Sequence, residues 1–325
     1  MRLHVVSLEF PSRMSVIYFP DDSRPSHWRQ PVLALGNFDG FHRGHMKIID
    51  RVCSRASDTG STPVAMIFDP HPPRVVRPDR APALLMTKEQ KIRTLMSAGV
   101  QGVVVVRFTE KISRWKPEVF VRSVLVNWLG VTEVWVGTNF LFGCDRSGNF
   151  TVLRTLGKQF EFRAEKINAV RYKEFVISST RIRRLIREGR VDEVGALLGH
   201  HYTIDGAVIR GDGRGGKIGF PTANVSTENE LIPPYGVYAT MASIDGIINR
   251  SITNIGVRPS VSEDNEASIE TYLFDVDRDL YGLNMKLGFI QRLRDEKKFE
   301  NVDLLREQIE ADCLCALKLF DRMSL

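Results

Sequence analysis

The pattern of apolar residues changes in the second half of this 325-residue chain. From about Pro31 to Arg190, short runs rich in β-branched residues alternate with stretches of helical period, as in Val32 to Leu35 followed by His45 to Ala56. This alternation is typical of a parallel sheet covered by helices on both faces. Ligands of such sheets bind beyond the carboxyl ends of the strands. The first half therefore predicts an α/β domain whose site lies in the strand-to-helix loops.

After about Gly189 the chain consists of short strand-like runs separated by Gly, Pro and Asn, which extend from Tyr202 to Phe289. This pattern predicts an antiparallel barrel or sandwich. The last segment, Val302 to Leu319, has apolar residues at helical spacing and predicts a closing helix. Because the chain is about twice as long as a common domain, we expect two domains, over residues 13–190 and 198–325.

Composition narrows the possible partners. No stretch approaches the about 18 uninterrupted apolar residues that a membrane span requires, and Met1 to Phe10 does not have the pattern of an export signal. We therefore expect a cytoplasmic protein that does not associate with membranes. The net charge of +6 suits anionic ligands. The basic residues are dispersed, however, so we do not expect a nucleic-acid partner; the sequence leaves the oligomeric state open.

The first candidate site follows the strand Val32 to Leu35. The loop reads Gly-Asn-Phe-Asp-Gly-Phe-His-Arg-Gly-His over residues 36–45, and a helical pattern follows it. Its glycines permit sharp turns and close approach to a ligand, and a helix start near His45 would direct free N–H groups toward an anion. His42 and His45 could both donate hydrogen bonds to phosphate oxygens. The alternative is a tight turn with incidental histidines.

A second segment of the first half, residues 177–183, also suits phosphate. It reads Ile-Ser-Ser-Thr-Arg-Ile-Arg and places the hydroxyls of Ser179 and Thr180 at a predicted helix start, with Arg183 after them. Hydroxyls, N-terminal amides and a guanidinium together form a phosphate cradle. The alternative is an ordinary helix cap.

With Phe-Asp-Pro-His-Pro at 68–72 and Val-Gly-Thr-Asn-Phe-Leu-Phe-Gly at 136–143, these segments resemble the nucleotidyltransferase superfamily. More narrowly, they resemble the FMN adenylyltransferase module of the bacterial bifunctional riboflavin kinase/FMN adenylyltransferases, or FAD synthetases. The resemblance implies a Rossmann-like parallel sheet in which the FMN phosphate attacks the α-phosphorus of ATP and pyrophosphate leaves, with no covalent enzyme intermediate. It also implies that His42 and His45 stabilise the ATP phosphates.

The resemblance extends to further residues of this module. Ser179, Thr180 and Arg183 would hold the leaving phosphates, and Asn139 would help to hold substrate or nucleotide. Asp39 is either part of the nucleotide site or a carboxylate that stabilises the turn. The implied nucleotide contacts are Gly36, Phe38, Asp39, Gly40, Gly44 and Asn139, and the implied flavin contacts are Phe68 and Pro70.

The second candidate site begins with five glycines in residues 211–219, followed by Pro-Thr-Ala-Asn at 221–224. It is not a Walker A loop, because no Gly-Lys-Ser/Thr opens a helix there. Successive backbone N–H groups can still bind phosphate. Thr222 and Asn224 alternate in an extended segment and so project to one side, and their oxygens suit Mg²⁺. The alternative is a flexible glycine hairpin.

The string Gly-Phe-Pro-Thr-Ala-Asn at 219–224 resembles the riboflavin kinase domain, and later segments around Tyr238, Arg258 and Glu270 agree with it. The resemblance implies a kinase barrel with a closing helix, in which Glu270 takes the proton of the ribityl 5′-hydroxyl as it attacks the γ-phosphorus of ATP. It implies phosphate contacts at Gly211, Gly213, Gly219 and Pro221, flavin contacts at Tyr238 and Arg258, and Mg²⁺ at Thr222 and Asn224.

The resemblance covers residues 13–320 and implies that riboflavin is converted to FMN and FMN to FAD, with ATP consumed in each step. Two alternatives compete with it. A riboflavin kinase with a degraded first domain is disfavoured by the intact histidine pair. A flavin-binding regulator without activity is disfavoured by Glu270, because a binding module needs no general base.

Overall fold

The computed structural model describes residues 14–211, 213–257 and 267–323. The chain divides into two packing units. The first contains the described residues up to Ala83 together with Lys88–Ile177, and the second contains Leu84–Thr87 and the described residues from Ser178 onward. No helix in these described ranges is both long enough and apolar enough to cross a membrane.

The first unit is built on a six-stranded parallel sheet with the strand order β1-β4-β3-β2-β5-β6, and a separate antiparallel pair, β7 and β8, follows it. The strands are β1 (Ser15–Phe19), β2 (Val32–Leu35), β3 (Pro63–Asp69), β4 (Gly102–Arg107), β5 (Glu133–Gly137), β6 (Arg163–Ile167), β7 (Arg171–Tyr172) and β8 (Phe175–Val176). The predicted parallel α/β sheet is confirmed.

Helices surround this sheet. They are α1 (Arg43–Thr59), α2 (Pro72–Val76), α3 (Lys88–Ser97), α4 (Glu110–Ser113), α5 (Pro117–Phe120) and α6 (Phe150–Gln159), with 3-10 turns at Pro78–Arg80 and Cys144–Arg146. The chain continues from α5 as a π-helix, Val121–Leu129. Strands β2 and β4 are buried almost throughout, as expected where helices cover both faces of a sheet.

The strand order determines where a ligand can bind. Strands β3 and β4 lie on one side of β2 in the sheet, and the later strands β5 and β6 lie on its other side. The order therefore reverses between β2 and β5, and a crevice opens beyond their carboxyl ends. The loop that carries both histidines follows β2 directly.

The second unit is a closed antiparallel barrel with the strand order β10-β13-β12-β11-β14-β9, which selects the barrel over the sandwich. Its elements are α7 (Ser179–Arg187), α8 (Val191–Leu198), β9 (Tyr202–Ile209), α9 (Arg214–Lys217), β10 (Ala223–Thr227), β11 (Gly236–Ile244), β12 (Ile247–Val257), β13 (Ala267–Leu273), β14 (Asn284–Asp295) and α10 (Val302–Met323). The predicted closing helix is α10.

Two features hold this unit together. Inside the barrel, fully buried hydroxyls form a hydrogen-bonded row in which Thr240 contacts Ser251 and Thr253, and Thr253 contacts Thr271. Helix α8 packs on β9 and β14 and also contacts α7. For this reason α7 groups with the barrel, although the predicted first domain extends to residue 190; the domain limits stay a prediction.

Candidate functional site

The loop after β2 has a strained backbone. Phe38 and Phe41 adopt positive φ angles of 49° and 37°, on either side of Gly40 at 84°. Both phenylalanines are buried, and a bulky residue in this conformation costs about 1–3 kcal/mol. Surrounding packing must therefore enforce the loop, and strain of this kind is concentrated at functional sites.

His42 forms the N-terminal cap of α1. Its Nδ1 accepts hydrogen bonds from the backbone N–H groups of Gly44 at 3.1 Å and His45 at 3.3 Å. The expectation that the free amides of this helix face the ligand is wrong for the N–H groups of Gly44 and His45, because both donate to the His42 ring. Since Nδ1 is an acceptor, the proton of the neutral ring lies on Nε2. The imidazole Nε2–H is thus available as a donor at the helix start.

His45 stacks on His42, with ring centroids 3.7 Å apart and 14° between the planes. The edge of Phe38 contacts its ring at 5.3 Å. Two polar atoms of the loop, Nδ1 of His45 and Oδ1 of Asn37, are buried without a hydrogen-bond partner among the described residues. Buried polar atoms are rarely left unpaired in folded proteins, so these two indicate a ligand at this loop. The predicted site residues do not include Asn37.

Both histidines are neutral at pH 7. Burial lowers the pKa of His42 to about 4. Burial also lowers the pKa of His45 well below its usual 6.5, and repulsion from a protonated His42 and from the charge of Lys91 lowers it further. Rings stacked this closely could not both carry a proton without strong repulsion. The pair can therefore meet an anion as hydrogen-bond donors and not as cations.

Asp39 is part of this loop and is buried, with its side chain only 4% exposed. Its Oδ1 is 3.5 Å from Nζ of Lys91 on α3, which is equally buried. This placement favours a role in stabilising the turn over direct contact with a nucleotide. Sequence reasoning did not identify Lys91; the available signal was a lysine directly before Ile92 on the apolar face of α3.

The other predicted residues of this unit lie at the same edge of the sheet. Phe68 is the last residue but one of β3 and packs against Phe108 and Phe120 at centroid distances of 5.8 and 6.0 Å. Pro70 and Asn139 are exposed just beyond β3 and β5. The structure thus brings these residues to the edge that carries the histidine loop. Their contacts with flavin or nucleotide stay a prediction.

Helix α7 carries the second predicted phosphate segment. Its cap is Ser178, whose Oγ accepts a hydrogen bond from the N–H of Arg181 at 3.3 Å. Ser179 and Thr180 occupy the first turn, and Arg183 is buried. These residues group with the second unit. Their participation in one site with the histidines stays a prediction.

In the second unit, the glycine-rich loop folds back on the Pro-Thr-Ala-Asn segment. A side chain at Gly211 would collide with the amide of Asn224, and one at Gly215 would collide with the carbonyl of Phe220 and approach Thr222. Gly213 and Gly219 have positive φ angles of 67° and 89°, a conformation that favours glycine. The loop therefore requires glycine for its path, and Pro221 is exposed beside it.

Glu270 lies at the centre of the second candidate site. Thr222 donates a hydrogen bond to its Oε2 at 3.4 Å, and Ser268 donates one to its Oε1 at 3.1 Å. Asn224 and Asn254 are directly opposite Glu270 on the neighbouring strands β10 and β12, so all three share a face of the barrel. Sequence reasoning identified Thr222, Asn224 and Glu270 but not Ser268 or Asn254. Asn254 lies within a segment that resembles riboflavin kinases, and Ser268 directly precedes another such segment.

A pocket of about 310 Å³ opens beside this cluster. Asn224, Ser268 and Ile269 line it, together with Ile209 and Ile232. The lining thus mixes the polar side chains of Asn224 and Ser268 with the apolar side chains of isoleucines.

Tyr238 and Arg258 are the predicted flavin contacts of this unit. The Tyr238 ring is fully buried against Phe289, its hydroxyl donates to the carbonyl of Pro234 at 2.5 Å, and burial raises its pKa to about 12. This placement does not support a flavin contact for Tyr238. Arg258 lies outside the described residues.

Comparisons with known proteins agree with this division of the chain. The family model for FAD synthetase matches residues 24–181, and the family model for riboflavin kinase matches residues 198–320. A bifunctional riboflavin kinase/FMN adenylyltransferase from Pseudomonas fluorescens is 36% identical, over 91% of this chain and 94% of its own length. This chain belongs to the bifunctional riboflavin kinase/FMN adenylyltransferase family.

Other members of the family match over a similar length. The bifunctional riboflavin kinase/FMN adenylyltransferase from Listeria monocytogenes is 37% identical, over 92% of this chain and 96% of its own length. Among solved structures, one described as a macrolide-efflux protein from Streptococcus pneumoniae is similar with a TM-score of 0.81 and 27% identity. That match covers 91% of this chain and 97% of the other.

Proposed function

We propose that this chain converts riboflavin to FMN at the Glu270 site and FMN to FAD at the histidine loop, and that it consumes ATP in both steps. The observation that carries the proposal is that each half holds a distinct set of reacting groups. One half presents neutral imidazole donors at a strained loop, and the other presents a hydroxyl-bound carboxylate beside a glycine-rich loop. Because both steps use ATP, we place the protein in the cytoplasm.

In the kinase step, the ribityl 5′-hydroxyl oxygen attacks the γ-phosphorus of ATP, ADP leaves, and the hydroxyl proton passes to Glu270. The hydrogen bonds from Thr222 and Ser268 orient this carboxylate, and a positioned base contributes typically 10²–10⁴-fold to the rate. The product, riboflavin with one added phosphate, is FMN.

The donors near Glu270 fit Mg²⁺. The Thr222 hydroxyl and the Asn224 amide oxygen are hard oxygen ligands, and they lie beside a loop suited to phosphates. When bound with ATP, the ion would neutralise phosphate charge. Thr222 and Asn224 are the residues that would hold it.

In the adenylyltransferase step, a phosphate oxygen of FMN attacks the α-phosphorus of ATP and pyrophosphate leaves. The Nε2–H of His42 would donate to phosphoryl oxygens as charge builds on them. We propose that Ser179, Thr180 and Arg183 hold the departing pyrophosphate, and that Phe68, Pro70 and Asn139 position flavin and nucleotide. No bond to the enzyme forms.

Labelled ATP tests both steps with the unmodified protein. The chain is incubated with riboflavin, Mg²⁺ and ATP that carries label in either the α or the γ phosphate, and the flavins are separated by chromatography. The γ label should appear first in FMN, and the α label should appear only in FAD. If label never entered FAD while FMN accumulated, the chain would be a riboflavin kinase alone. If neither flavin were labelled, the proposal would be wrong.

A further inference from the structure

We propose that Lys91 is a positioning residue for adenylyl transfer, whose buried ion pair with Asp39 holds the loop of His42 and His45 in its reactive conformation. The inference rests on the proposed function of that loop. Lys91 lies behind the loop on α3 and contacts Asp39, so it would act through other groups and not by touching substrate.

The burial of this pair is the first argument. The side chains of Lys91 and Asp39 are 6% and 4% exposed, and lysine is almost never buried this far unless it is paired. Removing both charges from water is costly, and apolar residues of similar size often serve stability equally well. A pair retained at such a place therefore suggests a use beyond the stability of the fold.

The second argument is that the strained loop needs a contact that holds its conformation. Asp39 lies between Phe38 and Gly40, both at positive φ, and Phe41 with a third positive φ follows. Phe38 in turn contacts the ring of His45. A loop of this kind persists only where its surroundings over-determine it. The Lys91–Asp39 pair fixes the middle of the loop to a helix, which is a rigid element.

The neighbouring lysine on α3 shows what is special about Lys91. Lys88 also pairs with a carboxylate at a strand end, that of Asp69 at 3.4 Å, but its side chain is 33% exposed and that of Asp69 is 44% exposed. An exposed pair of this kind is screened by water and contributes little. The two lysines thus brace two strand ends, and only the Lys91 pair is withdrawn from solvent.

Electrostatics adds support to the geometry. The charge of Lys91 helps to lower the pKa of His45, after burial and the influence of His42. Asp39 acts in the opposite direction on the pKa of His42. The ion pair therefore fixes the loop while leaving little net charge beside the stacked rings, which remain neutral donors.

The test replaces Lys91 in the full-length chain and measures both activities in one preparation. For Lys91→Met, the kcat of FMN conversion to FAD should fall by about tenfold or more, because small misplacements of reacting groups have large effects on rate. The KM for ATP should change less than kcat. Riboflavin phosphorylation should stay at the wild-type level, which shows that the barrel is folded, and an unchanged circular dichroism spectrum should show that the first unit is folded as well. Lys91→Arg should recover part of the lost rate.

A double variant and a control separate positioning from simple stability. Asp39→Asn with Lys91→Met removes both charges and leaves no buried unpaired ion, so it should fold well and still form FAD slowly. Lys158→Met, at an exposed position on α6, should behave as wild type. Wild-type FAD formation in Lys91→Met, or full recovery of the rate in the double variant, would overturn the proposal.

The result can be separated from a failure of the proposed function. If the unmodified protein formed no FAD from FMN, the proposed function would fail by itself. The positioning role would then be judged from the histidine side chains by NMR. In the double variant, the ring signals of His42 and His45 should move away from their wild-type positions, and unchanged signals would contradict the role.

Discussion

The chemistry of single residues in the first unit depends on which atoms remain free. His42 uses Nδ1 to cap α1, which leaves Nε2–H as its only ring donor. The cap thereby selects a tautomer and aims it away from the helix. A serine could cap the same helix, but it would lack a ring donor at that distance. The histidine thus combines a structural and a chemical task.

NMR can test this assignment directly. Long-range ¹H–¹⁵N spectra should show His42 as the Nε2–H tautomer at pH 7, with a pKa of about 4. Because this folded pKa lies below the usual 6.5, the unfolded chain binds the proton more readily. The stability contributed by neutral His42 should be complete above about pH 6.5 and lost as pH falls toward 4. A titration near 6.5, or an Nδ1–H tautomer, would contradict the assignment.

Sequence patterns identify candidate residues whose role is local. The glycines of the two loops and the histidine pair could be recognised from short strings. Lys91 could not, because its partner Asp39 lies on a distant part of the chain and only the folded sheet brings α3 beside the loop. Ser268 and Asn254 were missed for a similar reason, since their meaning depends on strand register.

At the scale of elements, the fold class followed from periodicity because both sheets bury most of their strands. Helix α1 begins two residues before the predicted start at His45, because its cap is His42 and histidine is not among the usual capping residues. The first strand, β1, lies before Pro31, the residue from which the sequence predicts alternating strands and helices. It pairs with β4, and the local sequence pattern does not reveal a pairing between strands so far apart in the chain.

The glycine-rich loop gives a prediction at this scale. Gly211→Ala should lower riboflavin phosphorylation by about tenfold or more, because its side chain would displace Asn224 from its place beside the loop. Gly216→Ala is the matched control, since open space surrounds that position. The rate of riboflavin phosphorylation is measured for both variants. Equal rates would show that the packing of Gly211 against Asn224 does not affect this activity.

Helix α10 gives a second prediction at the scale of elements. The carboxylate of Asp312 is buried and accepts hydrogen bonds from Arg294 on β14 and from Gln308. Asp312→Ala should lower the free energy of unfolding by about 3 kcal/mol, because it leaves a largely buried guanidinium unpaired. Asp321→Ala removes an exposed partner of Arg250 from the same helix and should cost no more than about 1 kcal/mol. Denaturant unfolding of both variants provides the comparison, and similar losses would contradict the argument.

At the scale of the whole molecule, the chain joins two different uses of ATP. The barrel holds a carboxylate that accepts a proton from an alcohol, so its target is the γ-phosphorus. The loop of the first unit holds neutral donors and no comparable base at its surface among the described residues, which suits attack by an already ionised phosphate. The product of one reaction is the substrate of the other, so that FMN connects the two sites chemically.

One pair of variants tests this division most directly. Each is assayed for riboflavin phosphorylation and, separately, for FMN conversion to FAD. Glu270→Ala should lose the first activity by about 10²-fold or more and keep the second. His42→Ala should lose the second by about 10²-fold and keep the first. If either substitution abolished both activities in a protein that remained folded, the account of two separate sites would be contradicted.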